Sequence, residues 1–273
     1  MQKFSGRQHP PFARKPNGDR RDAKPSTSWD HVAEWYGGYL SQKDTVQRDI
    51  VFPGALRMLG VGKGKLFLDI ACGEGSFAQM IAKQGGDVMG LDAAPALVRR
   101  AQMKNVKNAE FVVANAEHFA DRVGDKKFDG AACILAVQNI KNMEGLFQSA
   151  AQVLKRDASL VIVLNHPAFR IPRQTAWGFE EERKLMYRRV DSYMTPNGIP
   201  IAMHPGDAPS MKTLSFHRPL SAYITALADA GFVVDAMEEW VSNKISDSGP
   251  RAKAENRSRQ EIPLFMAIRA KKR

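Results

Sequence analysis

Short apolar segments alternate with helical segments through the middle of this 273-residue chain. The segments "KLFLDIA", "DVMGLD", "AEFVVAN", "FDGAACILAV" and "SLVIVLN" each predict a strand, because they are short, apolar and bounded by turn-forming residues. Residues 76–84, 95–104 and 143–155 have helical spacing; Gly85-Gly86 ends the first helix and Pro95 opens the second. Strands separated by helices need crossover connections, which predicts a parallel sheet.

The C-terminal part of the chain adds an amphipathic helix and two strands. A helix ending at Gly231 is predicted by apolar residues at helical spacing, namely Leu220, Tyr223, Ile224 and Leu227. "FVVDAMEEWV" and "PLFMAIRA" follow as strands, joined by a polar link over 242–261 that has no apolar periodicity. Two consecutive strands without an intervening helix are most simply antiparallel. The sequence therefore predicts an α/β sheet that is parallel except for one reversed strand near its end.

Residues 167–213 interrupt the alternation with scattered aromatic and charged residues of no long period. A segment of this length inside a compact domain is usually a lid or substrate cap, here placed between the fifth strand and the next helix. Ahead of the sheet, "WDHVAEWYGGYL" predicts a short helix, and residues 43–60 predict a second helix broken at Pro53.

Composition narrows the class of protein. Hydrophobic residues make up 44% and charged residues 25% of the chain, as in an ordinary soluble domain, and the longest apolar runs, such as "LVIVL", are far too short to span a membrane. The N-terminus has no apolar signal region, so we expect a cytoplasmic protein. Cys72 and Cys133 lie in apolar runs and are interpreted as buried reduced thiols, with neither a disulfide nor a metal site.

The N-terminal segment 1–28 has its own composition. It carries seven basic and two acidic side chains, so it contributes +5 to a formal net charge of +11. Rich in Pro, Gly and Ser and poor in aliphatic residues, it is expected to be a disordered tail. Such a tail either binds RNA, DNA or acidic lipid, or simply aids solubility, which is the preferred interpretation.

The stretch "LFLDIACGEGSF" at 66–77 is typical of a nucleotide-binding turn after a strand. Its glycines fit the loose dinucleotide pattern, which is weak evidence alone. Asp69, four residues before Gly73, would lie beside the two phosphates of NAD at a like-charge cost. S-adenosylmethionine (SAM) would instead bring an ammonium group, which a carboxylate favours. Asp92 ends the next strand, where an acid accepts hydrogen bonds from ribose hydroxyls in either cofactor; the alternative is a helix cap ahead of Pro95.

Beyond this turn, "VMGLDAAPALVRRAQ", "VVANAEHF", "FDGAACILAVQNI" and "LKRDASLVIVLNHP" follow in order. Together the motifs resemble the class I SAM-dependent methyltransferases, in particular the small-molecule group that includes quinone-biosynthesis enzymes (type 11). The resemblance covers about 29–273. It implies a Rossmann-like three-layer αβα sandwich whose seven-stranded, mostly parallel sheet has a reversed last strand, with SAM as the cofactor.

The resemblance also implies roles for individual residues. The methionine part of SAM would be held by Asp69, Gly73 and Gly75, the ribose by Asp92, and the adenine by Asn115 and Ala116. Ala71 replaces the first glycine of the commonest family pattern, and Asn115 stands where the family often has aspartate. Tyr36 resembles an aromatic residue that covers the cofactor; core packing beside Trp35 is an equal alternative.

The methyl acceptor is less constrained by the sequence. The (Asp/Asn)-Pro-Pro-aromatic motif of base amino-methyltransferases is missing after the fourth strand, where the chain reads "LAVQNI". His166 and His217 are expected at the carboxyl edge of the sheet, where a neutral imidazole can accept a proton from a hydroxyl group. The alternatives are a histidine bonded to neighbouring backbone and a contact at the helix entry.

Four residues in and after the predicted lid are candidates for binding the acceptor: Arg170, Arg173, Trp177 and Arg218. Arginines can hold a carboxylate or phosphate, and an aromatic ring can wall an apolar site. Solvated arginines and simple packing of the lid are the alternatives. The predicted function is methyl transfer from SAM to an oxygen or carbon of a small molecule. Three alternatives are an RNA-directed methyltransferase that uses the tail, a non-catalytic interaction protein with this fold, and, least favoured, a dehydrogenase.

Overall fold

The computed structural model describes residues 45–202 and 212–273, and in the second range the side chains from 213 onward. The strands, in chain order, are β1 Leu66–Ile70, β2 Asp87–Asp92, β3 Ala109–Val113, β4 Phe128–Ile134, β5 Leu154–Asn165, β6 Thr175–Glu180, β7 Leu185–Val190, β8 Asn197–Ala202, β9 Lys212–His217, β10 Phe232–Trp240 and β11 Phe265–Lys272. The α-helices are α1 Phe52–Leu59, α2 Ser76–Lys83, α3 Pro95–Met103, α4 Met143–Val153, α5 Leu220–Asp229 and α6 Ala252–Glu261.

Seven of these strands form one sheet in the order β10-β11-β5-β4-β1-β2-β3. The pairs within β5-β4-β1-β2-β3 are parallel, whereas β11 is antiparallel to both β5 and β10. Ile70 lies opposite Leu91, and Asp92 lies opposite Val113, so the carboxyl ends of β1, β2 and β3 meet at one edge. The predicted parallel sheet with a reversed last strand is confirmed.

Apolar side chains cover both faces of the sheet and bury it between two layers of helices. On one face, Leu68 and Ile70 pack in a core with residues of α4 and α5, including Phe147 and Tyr223. On the other face, Phe67 packs with residues of α1, α2 and α3. The strands are therefore buried on both sides, as their continuous apolar runs require, and the three-layer arrangement is confirmed.

The prediction of a helix broken at Pro53 is wrong. The chain stays helical through this residue: a π-helical segment, Gln47–Val51, leads directly into α1, and Pro53 lies in the first turn of α1. Proline lacks a backbone N–H and is tolerated at a helix start, where that N–H has no intrahelical partner. The predicted break is therefore absent, and a π-helical turn precedes Pro53 instead.

The prediction of a polar link without a helix over 242–261 is also wrong in part, because the second half of this segment forms α6. This helix has charged or polar side chains on most of its surface, so apolar periodicity could not reveal it. Polar contacts hold it to the preceding loop: Ser246 donates its backbone N–H to Asn256 at 2.8 Å, and Arg259 donates to the Ser246 hydroxyl at 2.6 Å.

The segment 167–213, predicted as a lid without regular structure, contains two β-hairpins in its described part. β6 pairs with β7, and β8 pairs with β9, both antiparallel. In the first hairpin, both faces of β6 and β7 are only partly buried, so apolar and polar residues do not alternate clearly along these strands. Whether the segment acts as a lid stays a prediction.

The predicted tail at 1–28, the helix "WDHVAEWYGGYL" and Tyr36 lie outside the described residues. Within the described ranges, no helix has the length and apolar content needed to cross a lipid bilayer.

We expect Gly75→Ala to destabilise the fold more than Gly60→Ala. Both glycines have a positive φ, +77° and +70°, so alanine strains the backbone by about 1–2 kcal/mol at either position. Only at Gly75 would the new Cβ meet a neighbour, the Phe111 ring at 2.7 Å, which adds about 1–3 kcal/mol of overpacking. Urea unfolding of both variants measures the difference. Equal losses of unfolding free energy would show that the contact with Phe111 is unimportant.

Candidate active site

A cavity of about 560 Å³ opens at the carboxyl edge of β1, β2 and β4, beside β9. Ligands of open α/β sheets bind at this edge. Six of the residues assigned to the cofactor from the sequence line the cavity: Asp69, Ala71, Gly73, Asp92, Asn115 and Ala116. Gly75 does not line it, and Tyr36 is not described.

Asp69 supplies a buried carboxylate to this cavity. The residue is 1% exposed, and its Oδ2 makes no hydrogen bond within the described chain. Removal from water is the main cause that raises the pKa of Asp69 to about 8; the nearby charge of Asp92 adds to it, and a backbone hydrogen bond with Ala78 opposes it. A buried acceptor without a partner is costly. The site therefore fits a ligand that brings a cationic donor to Asp69.

The turn after β1 is built from backbone that bends in the left-handed region. Ala71, Gly73 and Gly75 have φ of 57°, 56° and 77°. Gly75 is the N-cap of α2, and a side chain at this position would collide with the Phe111 ring. Glycine is therefore needed there for packing and not for lining the cavity. Ala71 and Gly73 line the cavity itself.

Asp92 ties two loops together at the end of β2. Its Oδ2 accepts a hydrogen bond from the Gly73 N–H, and its Oδ1 accepts one from the Ala94 N–H, both at 2.9 Å. The second contact is to Ala94, which is itself the N-cap of α3, so Asp92 is not the helix cap that was the alternative assignment. Because Asp92 also lines the cavity, one carboxylate fixes the glycine turn and faces the ligand space.

The loop after β3 carries the two residues assigned to adenine. Asn115 is exposed, and its Oδ1 accepts a hydrogen bond from the Glu117 N–H at 2.9 Å, which fixes the turn. Ala116 is buried at the cavity wall. Glu117 in turn accepts a hydrogen bond from the Asn142 N–H at 2.9 Å, so this loop is anchored to the start of α4. With its oxygen engaged, Asn115 has its amide N–H groups left for a ligand.

The opposite wall of the cavity is mostly apolar. It is formed by the end of β4 and the following turn together with the second hairpin, through Ile134, Leu135, Ile140, Leu214 and Phe216; the same elements also contribute the polar side chains of Asn139, Lys141 and Thr213. The cavity therefore has a polar half at β1, β2 and β3 and an apolar half at β4 and β9. The polar half matches a nucleoside with an amino-acid group, and the apolar half matches a hydrophobic second ligand.

His166 lies outside the lining of this cavity. Its ring is buried, with Nε2 2.6 Å from Glu239 Oε1, while Nδ1 accepts the Ala168 N–H at 3.2 Å. Burial is the main cause that lowers the pKa of His166, and Glu239 opposes it. The ring borders a separate, much smaller hollow of about 20 Å³.

His217 and Arg218 border the same small hollow. His217 Nε2 is 2.6 Å from the Tyr193 carbonyl oxygen, to which it donates. Arg218 donates from Nη2 to the carbonyl oxygens of Ile140 at 2.9 Å and Lys141 at 2.6 Å. Since Ile140 and Lys141 line the large cavity, these hydrogen bonds from Arg218 hold part of its wall in place.

The remaining acceptor candidates lie around the first hairpin. Arg170 and Arg173 are exposed, and Arg170 borders the small hollow. Trp177 on β6 is 40% exposed and lies under the guanidinium of Arg188, 5.1 Å from the ring centroid. None of the three lines the large cavity. The catalytic and acceptor-binding assignments of these residues, and of His166, His217 and Arg218, stay predictions.

Several cavity residues were missed from the sequence, notably Gln47, Phe52, Phe77, Leu214 and Phe216. Phe77 directly follows the glycine turn, so its place next to the ligand could have been inferred. Leu214 and Phe216 come from a hairpin whose path the sequence does not reveal. Gln47 precedes the sheet by almost twenty residues, and no motif marks it.

Comparison with known proteins supports this description. Residues 68–162 match a family model described as "Methyltransferase domain". The chain is 31% identical over 116 residues to a demethylmenaquinone methyltransferase of Tropheryma whipplei, covering 41% of this chain and 47% of that protein. It is 32% identical over 95 residues to a ubiquinone biosynthesis O-methyltransferase of Aliivibrio fischeri, covering 34% and 40%. The chain thus spans less than half the length of these curated relatives.

Among solved structures, an S-adenosylmethionine dependent methyltransferase from Mesorhizobium loti superposes with a TM-score of 0.64. The two chains are 21% identical, and the match covers 81% of this chain and 96% of that one. At this identity the likeness establishes the fold. The resemblance to SAM-dependent methyltransferases that the motifs indicated is therefore confirmed as a similarity, in sequence over residues 68–162 and in fold over 81% of the chain.

Proposed function

We propose that this protein transfers a methyl group from SAM to an oxygen or carbon atom of a small, apolar acceptor. One observation carries the proposal: the buried carboxylate of Asp69, whose Oδ2 has no hydrogen-bond partner among the residues that the structure describes, lines a cavity at the carboxyl edge of the sheet. The ammonium group of SAM pairs with the ionised carboxylate and offsets the cost of burying its charge, whereas a phosphate-bearing cofactor brings no cation to this buried group.

The polar half of the cavity would hold SAM along the strand ends. Asp69 pairs with the ammonium group, Asp92 accepts from the ribose hydroxyls, and Asn115 with the Ala116 backbone N–H meets the adenine edge. This order follows the order of β1, β2 and β3 in the sheet. When bound, SAM supplies a methyl group on a sulfonium that is already activated for transfer.

The apolar half of the cavity supports an acceptor with an apolar or aromatic body. Its walls from β4 and β9 offer apolar side chains that would orient the acceptor by shape. Because the methyl donor is activated, positioning and desolvation can supply much of the rate. One curated relative is named a demethylmenaquinone methyltransferase and the other a ubiquinone biosynthesis O-methyltransferase, which favours a phenolic or reduced-quinone acceptor here. Proton removal by His166 or His217 would require the acceptor hydroxyl to approach the small hollow that these rings border.

Methyl transfer is tested with methyl-labelled SAM, the full-length protein and a panel of apolar reduced quinones beside hydrophilic polyols, with products read by mass spectrometry. We expect label only on the apolar phenolic compounds. Asp69→Asn should lose transfer because the neutral amide cannot balance the ammonium charge. Asp87→Asn, at the exposed far end of β2, is the matched control and should retain it.

Two results would count against the proposal. Equal transfer by Asp69→Asn and the wild type would remove Asp69 from the site. Binding of S-adenosylhomocysteine, the demethylated form of SAM, with no label on any apolar compound would rule out the proposed acceptor class.

The pKa of Asp69 predicts how cofactor affinity depends on pH. Below its pKa of about 8, Asp69 is protonated in the empty protein and must lose that proton before it can pair with an ammonium group. Affinity for S-adenosylhomocysteine should therefore rise with pH, by about tenfold per unit between pH 6 and 7, and level off towards pH 8. The neighbouring Cys72 thiol does not titrate in this range, because burial raises its pKa well above the usual value.

Calorimetry in buffers of different ionisation enthalpy measures this linkage. About one proton should be released per ligand bound near pH 6.5, and the release should vanish in Asp69→Asn. An affinity that is constant from pH 6 to 8 would show that Asp69 is already ionised in the empty site or does not meet the ligand.

A further inference from the structure

Gln47 places a second unpartnered acceptor in the same cavity. Its side chain lines the cavity, and its Oε1 is shielded from solvent without a hydrogen bond in the described part of the chain. Such a glutamine oxygen has lost its hydrogen bonds to water without forming a new one, which costs free energy unless a ligand donates a hydrogen bond to it. The cavity is therefore lined by two such oxygens, Asp69 Oδ2 and Gln47 Oε1.

The π-helical segment fixes the direction of Gln47. The Phe52 N–H donates to the Gln47 carbonyl oxygen, so the two residues lie about one wide turn apart on the same side of the helix. Both line the cavity. π-Helical turns are rare and are frequent at functional sites, where they re-aim a side chain. Here the wide turn directs Gln47 to the ligand space just ahead of Pro53.

Packing of the adjoining helix locates Gln47 near the methionine end of the proposed cofactor. Phe52 contacts Phe77, with ring centroids 5.6 Å apart, and Phe77 lies in the first turn after the glycine turn. α1 covers the half of the sheet that contains β4 and β10: Leu59 packs on Gly130, and Arg57 pairs with Glu238 at 2.6 Å. The adenine position follows β3 at the opposite edge of the sheet.

We propose that Gln47 is a cofactor-binding residue whose amide oxygen accepts a hydrogen bond from the ammonium group at the amino-acid end of SAM. An ammonium group has three N–H donors, and Asp69 Oδ2 satisfies only part of them. Gln47 supplies a further acceptor from the helix that precedes the sheet. This assignment rests on the proposed function.

Two ligands separate this role from general packing. S-adenosylhomocysteine has the amino-acid end, whereas 5′-methylthioadenosine keeps the adenosine and the thioether but lacks that end. Calorimetry should show that Gln47→Met weakens the binding of S-adenosylhomocysteine by about tenfold or more, as expected for the loss of a hydrogen bond to a charged group. The affinity for 5′-methylthioadenosine should stay within about twofold of the wild-type value. Gln47→Glu should bind S-adenosylhomocysteine at least as tightly as the wild type, because a carboxylate strengthens the contact to a cation.

Gln152→Met, on the exposed side of α4, is the matched control and should bind both ligands like the wild type. The thermal unfolding temperature of Gln47→Met should be unchanged or raised, since the variant removes a buried oxygen that has no partner among the described residues. Unchanged S-adenosylhomocysteine binding by Gln47→Met would overturn the inference, as would equal losses for both ligands, which would make Gln47 a wall residue. If the wild type bound neither ligand, the proposed function would fail, and this inference with it.

Discussion

The burial of the Asp69 carboxylate is the constraint on which the site depends. The fold removes this group from water at the end of an interior strand and provides no partner for Oδ2 within the described chain. The resulting pKa, about 8, measures how unfavourable the charge is in the empty protein. A cationic ligand reverses that balance. The backbone beside Asp69 is fixed by a second acid, because Asp92 accepts a hydrogen bond from the Gly73 N–H and so holds the glycine turn in place.

The mostly apolar side of the cavity, which we propose as the acceptor side, is formed by parts of the chain that are distant in sequence. The turn after β4 contributes one wall, and β9 of the second hairpin contributes the other. Arg218 joins these parts, since it follows β9 and holds two carbonyl groups of the turn. The two histidines are engaged with Glu239 and with the Tyr193 carbonyl, behind the wall. Under the proposed function, this arrangement would favour catalysis by positioning of the acceptor.

The sheet and the cofactor side were predictable because they follow from local patterns. Buried parallel strands are short apolar runs, and the residues that follow them must meet at one edge, which places Asp69, Asp92 and Asn115 together. Two elements were not predictable for physical reasons. α6 is polar on most of its surface and is held by hydrogen bonds, so it has no apolar period. The helix at Pro53 continues because proline suits a first turn.

The acceptor side could not be predicted for a different reason. Phe216 and Leu214 reach the cavity through a hairpin whose strands pair with each other and not with the main sheet. Gln47 is directed by a π-helical turn that no sequence pattern marks. Conversely, His166 was expected at the rim from its position after β5. The structure buries its ring and pairs it with Glu239 near the end of β10, and pairing between such distant residues is visible only in three dimensions.

The central claim is that the turn after β1 selects a cationic cofactor over a dinucleotide. Side-by-side titration of the full-length protein with S-adenosylhomocysteine, by calorimetry, and with NADH, by fluorescence, tests it directly. The account predicts saturable binding of one S-adenosylhomocysteine per chain and no binding of NADH at the same concentrations. Saturable NADH binding without S-adenosylhomocysteine binding would contradict the assignment of Asp69 and of the whole site.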